Sequence, residues 1–341
     1  MRYIGGKSLL LDNIYGSIQQ FTDGTVQYFT DLFSGSGAVS SYMKSQGFCV
    51  TSNDKLYFSY VIVRGTVGLN KVPEFKKLKI DDPILYLNQI DIAKLNLDDD
   101  RNFIYQNYSP NLNCNRMYFQ NKNALKIDAI RQEIEYWKQE KRINDDEYYY
   151  LLAALLLAVP FVANITGTFG AYLKYWDERT TKDLLLKKPD IEISKSKCTC
   201  FCQDYANILP IKTDLMYADP PYNSREYLPN YHIMETIARY DYPEIKGVTG
   251  IRNYSDQKSV FCKKSTVYSA FENLVKNSNT RYLLISYNNE GLISTEQLAD
   301  LCLTFGRKNS FRLIEQDYRR YKNKIPNNKA GLKEQLYFIE K

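Results

Sequence analysis

The sequence predicts an α/β chain built around half of a doubly wound nucleotide-type sheet and interrupted by a long inserted block. A strand, glycine turn, helix, strand unit occupies residues 26–54. The α/β alternation stops after Lys55 and resumes at Cys198, from where strand-like runs and helical stretches alternate to the end.

Val26 to Phe33 reads as a short buried strand running into Ser34-Gly35-Ser36-Gly37, and a helix follows through Met43 to Gln46, where Gly47 stops it. Phe48 to Ser52 is a second strand ending in Asn53-Asp54. From Lys55 to Asn123 the chain is rich in Asn, Asp and Tyr and reads as irregular. A polar amphipathic helix around Leu125 to Lys141 and an apolar helix after Asp145 come next. The block ends in Asn164 to Trp176, a glycine-punctuated aromatic and basic stretch that reads as an exposed loop or hairpin. Further strands fall at 198–202, 214–218, 282–285, 311–314 and 336–339, with helices around 233–240, 267–276 and 295–305.

A chain of 341 residues that is 44% hydrophobic has ample core for about two folding units, which excludes disorder as its main state. The apolar run from Leu151 to Ala163 is interrupted by Pro160 and falls short of the roughly 18 residues of a membrane span, so it reads as a buried helix. Met1 to Lys7 shows no apolar leader, and the expected location is cytoplasmic. Seven cysteines imply reduced thiols rather than a disulfide framework, and Cys198, Cys200 and Cys202 at a spacing of two are expected to pack one strand face rather than bind metal. A net charge of +6 is compatible with a polyanionic partner but does not demand one. His232 at a helix start and the Asp98 to Asp100 run read as structural and solvated, respectively.

Three features fall at predicted strand ends, where open α/β sheets place ligands. Asp31-Leu-Phe33-Ser34-Gly35-Ser36-Gly37 puts small residues where backbone approaches a ligand at a helix N-terminus. Ser40 or Ser41 stands where a dinucleotide fingerprint needs its third glycine, which argues against a bound pyrophosphate. Asp54, about 20 residues past the first glycine, suits the two hydroxyls of a ribose. Each feature alone is also an ordinary turn; together they suggest adenosine held without phosphate contacts. The third is Asp219-Pro220-Pro221-Tyr222, whose prolines remove two N–H groups and fix the backbone. Such rigidity suits a flat base with an exocyclic amine, the ring stacking while Asp219 and the Pro220 carbonyl accept the amine hydrogens, although a lone tetrapeptide of this kind is also compatible with a turn.

In this order along the chain, Tyr3-Ile-Gly-Gly-Lys7, the Asp31 to Gly37 loop, Asn53-Asp54 and Asp219-Pro-Pro-Tyr222 resemble the D12 class of adenine-N6 DNA methyltransferases, the alpha group that includes the Dam enzymes. The stretches Asn223 to Glu235 and Ile285 to Gly291 look closer to its FokI-type members. The resemblance implies a Rossmann-like S-adenosylmethionine-dependent methyltransferase fold with an inserted, mostly helical target-recognition domain. Residues 1–55 and 197–341 would be catalytic, and 56–196 would read DNA. It implies that Tyr3 and Lys7 flank the methionine part of S-adenosyl-L-methionine, with Lys7 available to its carboxylate, while the loop of Asp31, Phe33, Ser34, Gly35, Ser36 and Gly37 lines that end. Asp54 would hold the ribose, Asp204 the adenine amine with Tyr205 beside it, and Tyr222 would stack on the target adenine.

Methyl transfer would then be an in-line displacement driven by positioning and by the charge of Asp219, without metal or covalent intermediate. The target adenine must be flipped from the duplex at a cost of a few kcal/mol. Double-stranded DNA would meet Asn164, Thr168, Tyr172, Lys174, Arg225 and Tyr227, with Arg116, Lys174, Arg179, Lys187 and Lys188 as phosphate partners. The implied setting is a restriction-modification system with a separately encoded endonuclease. The competing readings are an amine methyltransferase acting on RNA or a protein glutamine, disfavoured by Asp219 in place of Asn, and an inactive DNA-binding relative.

Overall fold

The computed structural model describes residues 3–194, 196, 198–317 and 333–341. Among them a seven-stranded sheet runs in the order β3-β2-β1-β4-β7-β9-β8. Its strands are β1 (Tyr28–Asp31), β2 (Cys49–Asn53), β3 (Thr199–Phe201), β4 (Thr213–Ala218), β7 (Thr280–Asn288), β8 (Arg312–Asp317) and β9 (Lys333–Glu340). The first five are parallel; β9 pairs antiparallel with both β7 and β8. A separate antiparallel ribbon joins β5 (Ile245–Lys246) to β6 (Ile251–Arg252).

The strands are apolar on both faces because helices cover both, as parallel sheets require. Leu215 and Tyr217 of β4 face a core shared with α1 (Leu11–Phe21) and α2 (Ala38–Ser45), whereas Met216 and Ala218 face α9 (Val267–Asn277) and α10 (Thr295–Phe305). The strands β1 to β4 lie within a residue or two of the positions the sequence predicts, while β7, β8 and β9 each extend three residues beyond one predicted end; α8 (Leu228–Arg239) starts earlier, at the Leu-Pro step that favours a helix N-terminus.

One expectation is corrected. The stretch after Lys55 is not irregular: α3 (Tyr57–Arg64) follows β2 directly, and Val63 and Val67 pack on the sheet. Its sequence, Tyr-Phe-Ser-Tyr-Val-Ile-Val-Arg, is aromatic and β-branched and has strand-like propensity, but burial on two sides overrides it. The other side of α3 shares a core with α6 (Asn121–Gln139), α7 (Asp145–Ala158) and α8. The short helices α4 (Pro83–Asn88) and α5 (Phe103–Tyr108) edge that core. Glu235 of α8, fully buried, accepts from the backbone N–H of Tyr57 and Phe58 and from Arg239 and Gln257, so it fixes where α3 leaves the sheet. Lys197, at the expected domain boundary, and Met1 and Arg2 lie outside the described residues. No helix among the described residues is long and apolar enough to cross a membrane.

Candidate active site

Four neighbouring parallel strands each end in an acidic residue on the same edge of the sheet. Asp31 closes β1, Asp54 follows β2, Asp204 follows β3 and Asp219 follows β4. All four line one solvent-open cleft of about 980 Å³, together with Tyr3, Lys7, Phe33, Ser34, Gly35, Ser36 and Tyr205. The structure therefore brings most of the residues read as donor-binding into one place.

The glycine loop is held by neighbours on both sides. Asp54 accepts from the backbone N–H of Gly35 and of Leu56, both at 2.8 Å. Gly35 has a φ of +51°, and a Cβ there would lie 2.8 Å from the ring of Tyr3, so only glycine fits. Tyr3 stacks on Tyr231 at 4.9 Å, and Tyr231 accepts from the Ile4 N–H, which docks the N-terminal segment over the loop. Asp31 accepts from Ser40 at 2.6 Å, and Ser40 accepts from Ser52, while the other Asp31 oxygen has no partner among the described residues. Burial pushes Asp31 up to about 7 and Asp54 up to about 6. Phe33, Tyr205 and Phe261 form an aromatic wall, and Asp204 pairs with Lys55 at 3.0 Å.

Asp31, Asp54, Asp204, Asp219 and Glu226 thus face the cleft, while the lysines lining it, Lys7 and Lys55, are each already ion-paired. A wall of this sign suits a cationic ligand and opposes a phosphate. The free Asp31 oxygen, the aromatic wall and the acidic rim fit S-adenosylmethionine, whose ammonium, adenine and sulfonium they would meet. When bound, this donor supplies an electrophilic methyl group on a positively charged sulfur.

Asp219-Pro220-Pro221-Tyr222 adopts a closed arrangement. Pro221 lines the cleft, but the Tyr222 hydroxyl turns inward, donating to Asp219 at 2.6 Å with Glu334 at 2.5 Å and Ser286 at 3.2 Å. The Tyr222 ring meets Tyr287 edge to face rather than presenting itself as a cleft wall. Lys7, 5% exposed, sits between Asp219 at 2.9 Å and Glu334 at 3.0 Å. Here Lys7 is committed to two carboxylates instead of being available to a donor carboxylate. Burial pulls its ammonium down, but Asp219 and Glu334 more than offset that, and it stays above its ordinary value. Burial raises Asp219 to about 6 against the opposing pull of Lys7.

The residues read as DNA-binding separate into two groups. Arg225 and Lys174 are exposed, and Thr168 is partly so. Asn164 is fully buried: its amide donates to the carbonyls of Leu173 and Tyr175 and accepts from the Asp177 N–H, so it is the scaffold of the loop and not a base contact. Tyr172 packs edge-on against Tyr118. Tyr227 falls in the donor cleft, 6.0 Å from the Tyr3 ring, and not on the loop beyond it. Arg116 clamps the carbonyls of Gly247 and Val248, Arg179 pairs with Asp177 and Lys188 with Asp82, whereas Lys187 is exposed. His232 is buried, bonded to the Phe169 carbonyl, and burial lowers it to about 4, in keeping with a structural role. The thiols of Cys200 and Cys202 are pushed up to about 12 by burial, and no metal-ligand cluster occurs among the described residues. Residues that sequence reasoning missed are Glu334 and Phe261, neither of which stands in a motif, and Glu226, which lies within the Asn223 to Glu235 stretch but is given no role there.

A parallel-centred sheet with a glycine loop, an acidic strand-end row and Asp-Pro-Pro-Tyr at its central strand defines a nucleoside-binding α/β transferase site. The chain belongs to the D12 class of N6 adenine-specific DNA methyltransferases, whose family model matches residues 3–301. It is 41% identical to the Type II methyltransferase M.FokI of Planomicrobium okeanokoites and 38% identical to the modification methylase StsI of Streptococcus sanguinis, in each case over the whole chain. It spans about half the length of those two curated relatives, 53% and 52%. It is also 36% identical to the Type II methyltransferase M.NlaIII of Neisseria lactamica, over 100% of this chain and 99% of that one.

Proposed function

We propose that this chain transfers a methyl group from S-adenosylmethionine to the N6 of an adenine flipped out of double-stranded DNA, as the modification component of a restriction-modification system with a separate endonuclease. The observation that carries the reading is the position of Asp219-Pro-Pro-Tyr222 at the end of the central strand, where Asp219 and Pro221 line the same cleft as the glycine loop, Asp54 and Asp204.

The amine of adenine is a weak nucleophile because its lone pair is delocalised into the ring. Hydrogen bonds from both amine hydrogens, one to Asp219 and one to the Pro220 carbonyl, favour a pyramidal nitrogen whose lone pair is free to attack. Tyr222 supplies the stacking face once its hydroxyl leaves Asp219. The surface of the inserted block beyond α3, with the exposed Lys174 and the partly exposed Thr168, forms the face that reads DNA, and Arg225 holds the strand next to the flipped base. Incubating the protein with methyl-labelled S-adenosylmethionine and duplex DNA, then digesting to nucleosides, should give label in N6-methyladenine alone. Label in RNA or protein and none in DNA would overturn the proposal.

Two expected results follow here. Lys174→Ala should weaken DNA binding and reduce the slope of log K against log salt by about 0.9, the share of one phosphate contact. An unchanged slope would remove Lys174 from the interface. Donor affinity should also depend on pH, since Asp31 sits at about 7 and Asp54 at about 6, above the ordinary 3.8. Between pH 4 and 7 the folded chain holds protons that the unfolded chain has lost, so ionising these groups costs stability as pH rises. A cationic donor favours the ionised forms, so its binding should strengthen from pH 5.5 to 7.5 and release protons. Calorimetric Kd values equal at both pH values would contradict this.

A further inference from the structure

We infer that Glu334 is a positioning residue for methyl transfer, the carboxylate that anchors Lys7 against Asp219 Oδ1 so that Asp219 Oδ2 meets the target amine. The inference rests on the functional reading above. In the structure Asp219 Oδ1 is already occupied by both groups, Lys7 at 2.9 Å and the Tyr222 hydroxyl at 2.6 Å. Both contacts fall on Oδ1, which leaves Oδ2 for an incoming amine.

Among the described residues, Glu334 is the one besides Asp219 whose side chain bonds both of them. Its Oε1 lies 3.0 Å from Lys7 Nζ and 2.5 Å from the Tyr222 hydroxyl, and Ser286 donates to it at 3.0 Å. It is only 3% exposed, too buried for water to replace a lost partner. Its place follows from topology: β9 runs antiparallel to β7, so its first residues lie beside the carboxyl end of β7, with Glu334 opposite Asn288, at the edge where the other strands end in acids. Two carboxylates therefore share one ammonium and one phenol. With Glu334 anchoring Lys7, the ammonium stays on Asp219 Oδ1 when the Tyr222 hydroxyl leaves for the base, and no buried charge is left unpaired.

The test is steady-state methylation of duplex DNA by wild type and Glu334→Gln, with donor affinity and melting temperature measured alongside. Glu334→Gln should lower kcat about 10- to 100-fold with donor Kd within about threefold, since Glu334 itself does not line the cleft and Lys7 keeps Asp219 as a partner. It should also move the acid limb of kcat. Asp219 must be ionised to accept, and it is faced by Lys7, Glu334, Tyr222, Asp31, Tyr217 and Tyr227. Removing the negative charge of Glu334 should shift the limb to lower pH. Glu334→Asp keeps the charge and shortens the reach, so it should lower kcat with the limb unmoved, and it serves if the glutamine variant does not fold. Wild-type kcat and an unmoved limb in Glu334→Gln would overturn the role of Glu334 alone. A wild-type protein that methylates no DNA adenine would overturn the functional reading and this inference with it.

Discussion

Asp219→Ala is expected to abolish methyl transfer, lowering kcat by at least about 10³-fold, while donor affinity stays within a few fold. The reason is the division of labour in the cleft. On the proposed reading Asp219, bonded to Lys7 and Tyr222, faces the target, whereas Asp31, Asp54 and Asp204 on the neighbouring strands face the donor. A side-chain acceptor aimed at developing charge in a buried site contributes far more to the transition state than to ground-state binding. Loss of Asp219 also strands part of the Lys7 ammonium, but Glu334 remains beside it, so folding should survive. Single-turnover kinetics and donor titration on the same preparation check both halves. Turnover near the wild-type rate would remove Asp219 from catalysis.

Asp54→Ala should act first on donor binding, weakening it about 10- to 100-fold, or about 1.4–2.7 kcal/mol. The Asp54 carboxylate holds two backbone N–H groups, Gly35 and Leu56, and so ties the glycine loop to the start of α3. Removing it leaves two buried donors unsatisfied and loosens the loop against Tyr3. Maximal rate at saturating donor should fall much less than affinity does. Calorimetry with S-adenosylmethionine separates the two, and an unchanged Kd would show that the loop holds its shape without this clamp.

That Asp31, Asp54 and Asp219 lie at strand ends was readable because each follows an apolar run that ends abruptly, the signature of a buried parallel strand, whereas Asp204 came only from the family resemblance. Asn164 misled because an Asn beside glycines in a polar loop looks like a surface contact, while its three backbone bonds are made by residues 9 to 13 positions onward and invisible in a local window. Tyr227 misled for a related reason: only the docking of the N-terminal segment shows that its ring faces Tyr3 and not the outside.

What the amino-acid order determined by itself is local: which runs are apolar enough to be buried, where prolines and glycines force the backbone, and hence which strand ends carry acids. Pairing across the sheet lay beyond it. The antiparallel return of β9 brings Glu334 to Lys7, 327 positions earlier in the chain, and only the folded sheet decides that Lys7 is held by carboxylates at the catalytic edge. Charge partners in a low-dielectric site are set by which strands lie side by side, and strand order is a property of the whole chain's packing.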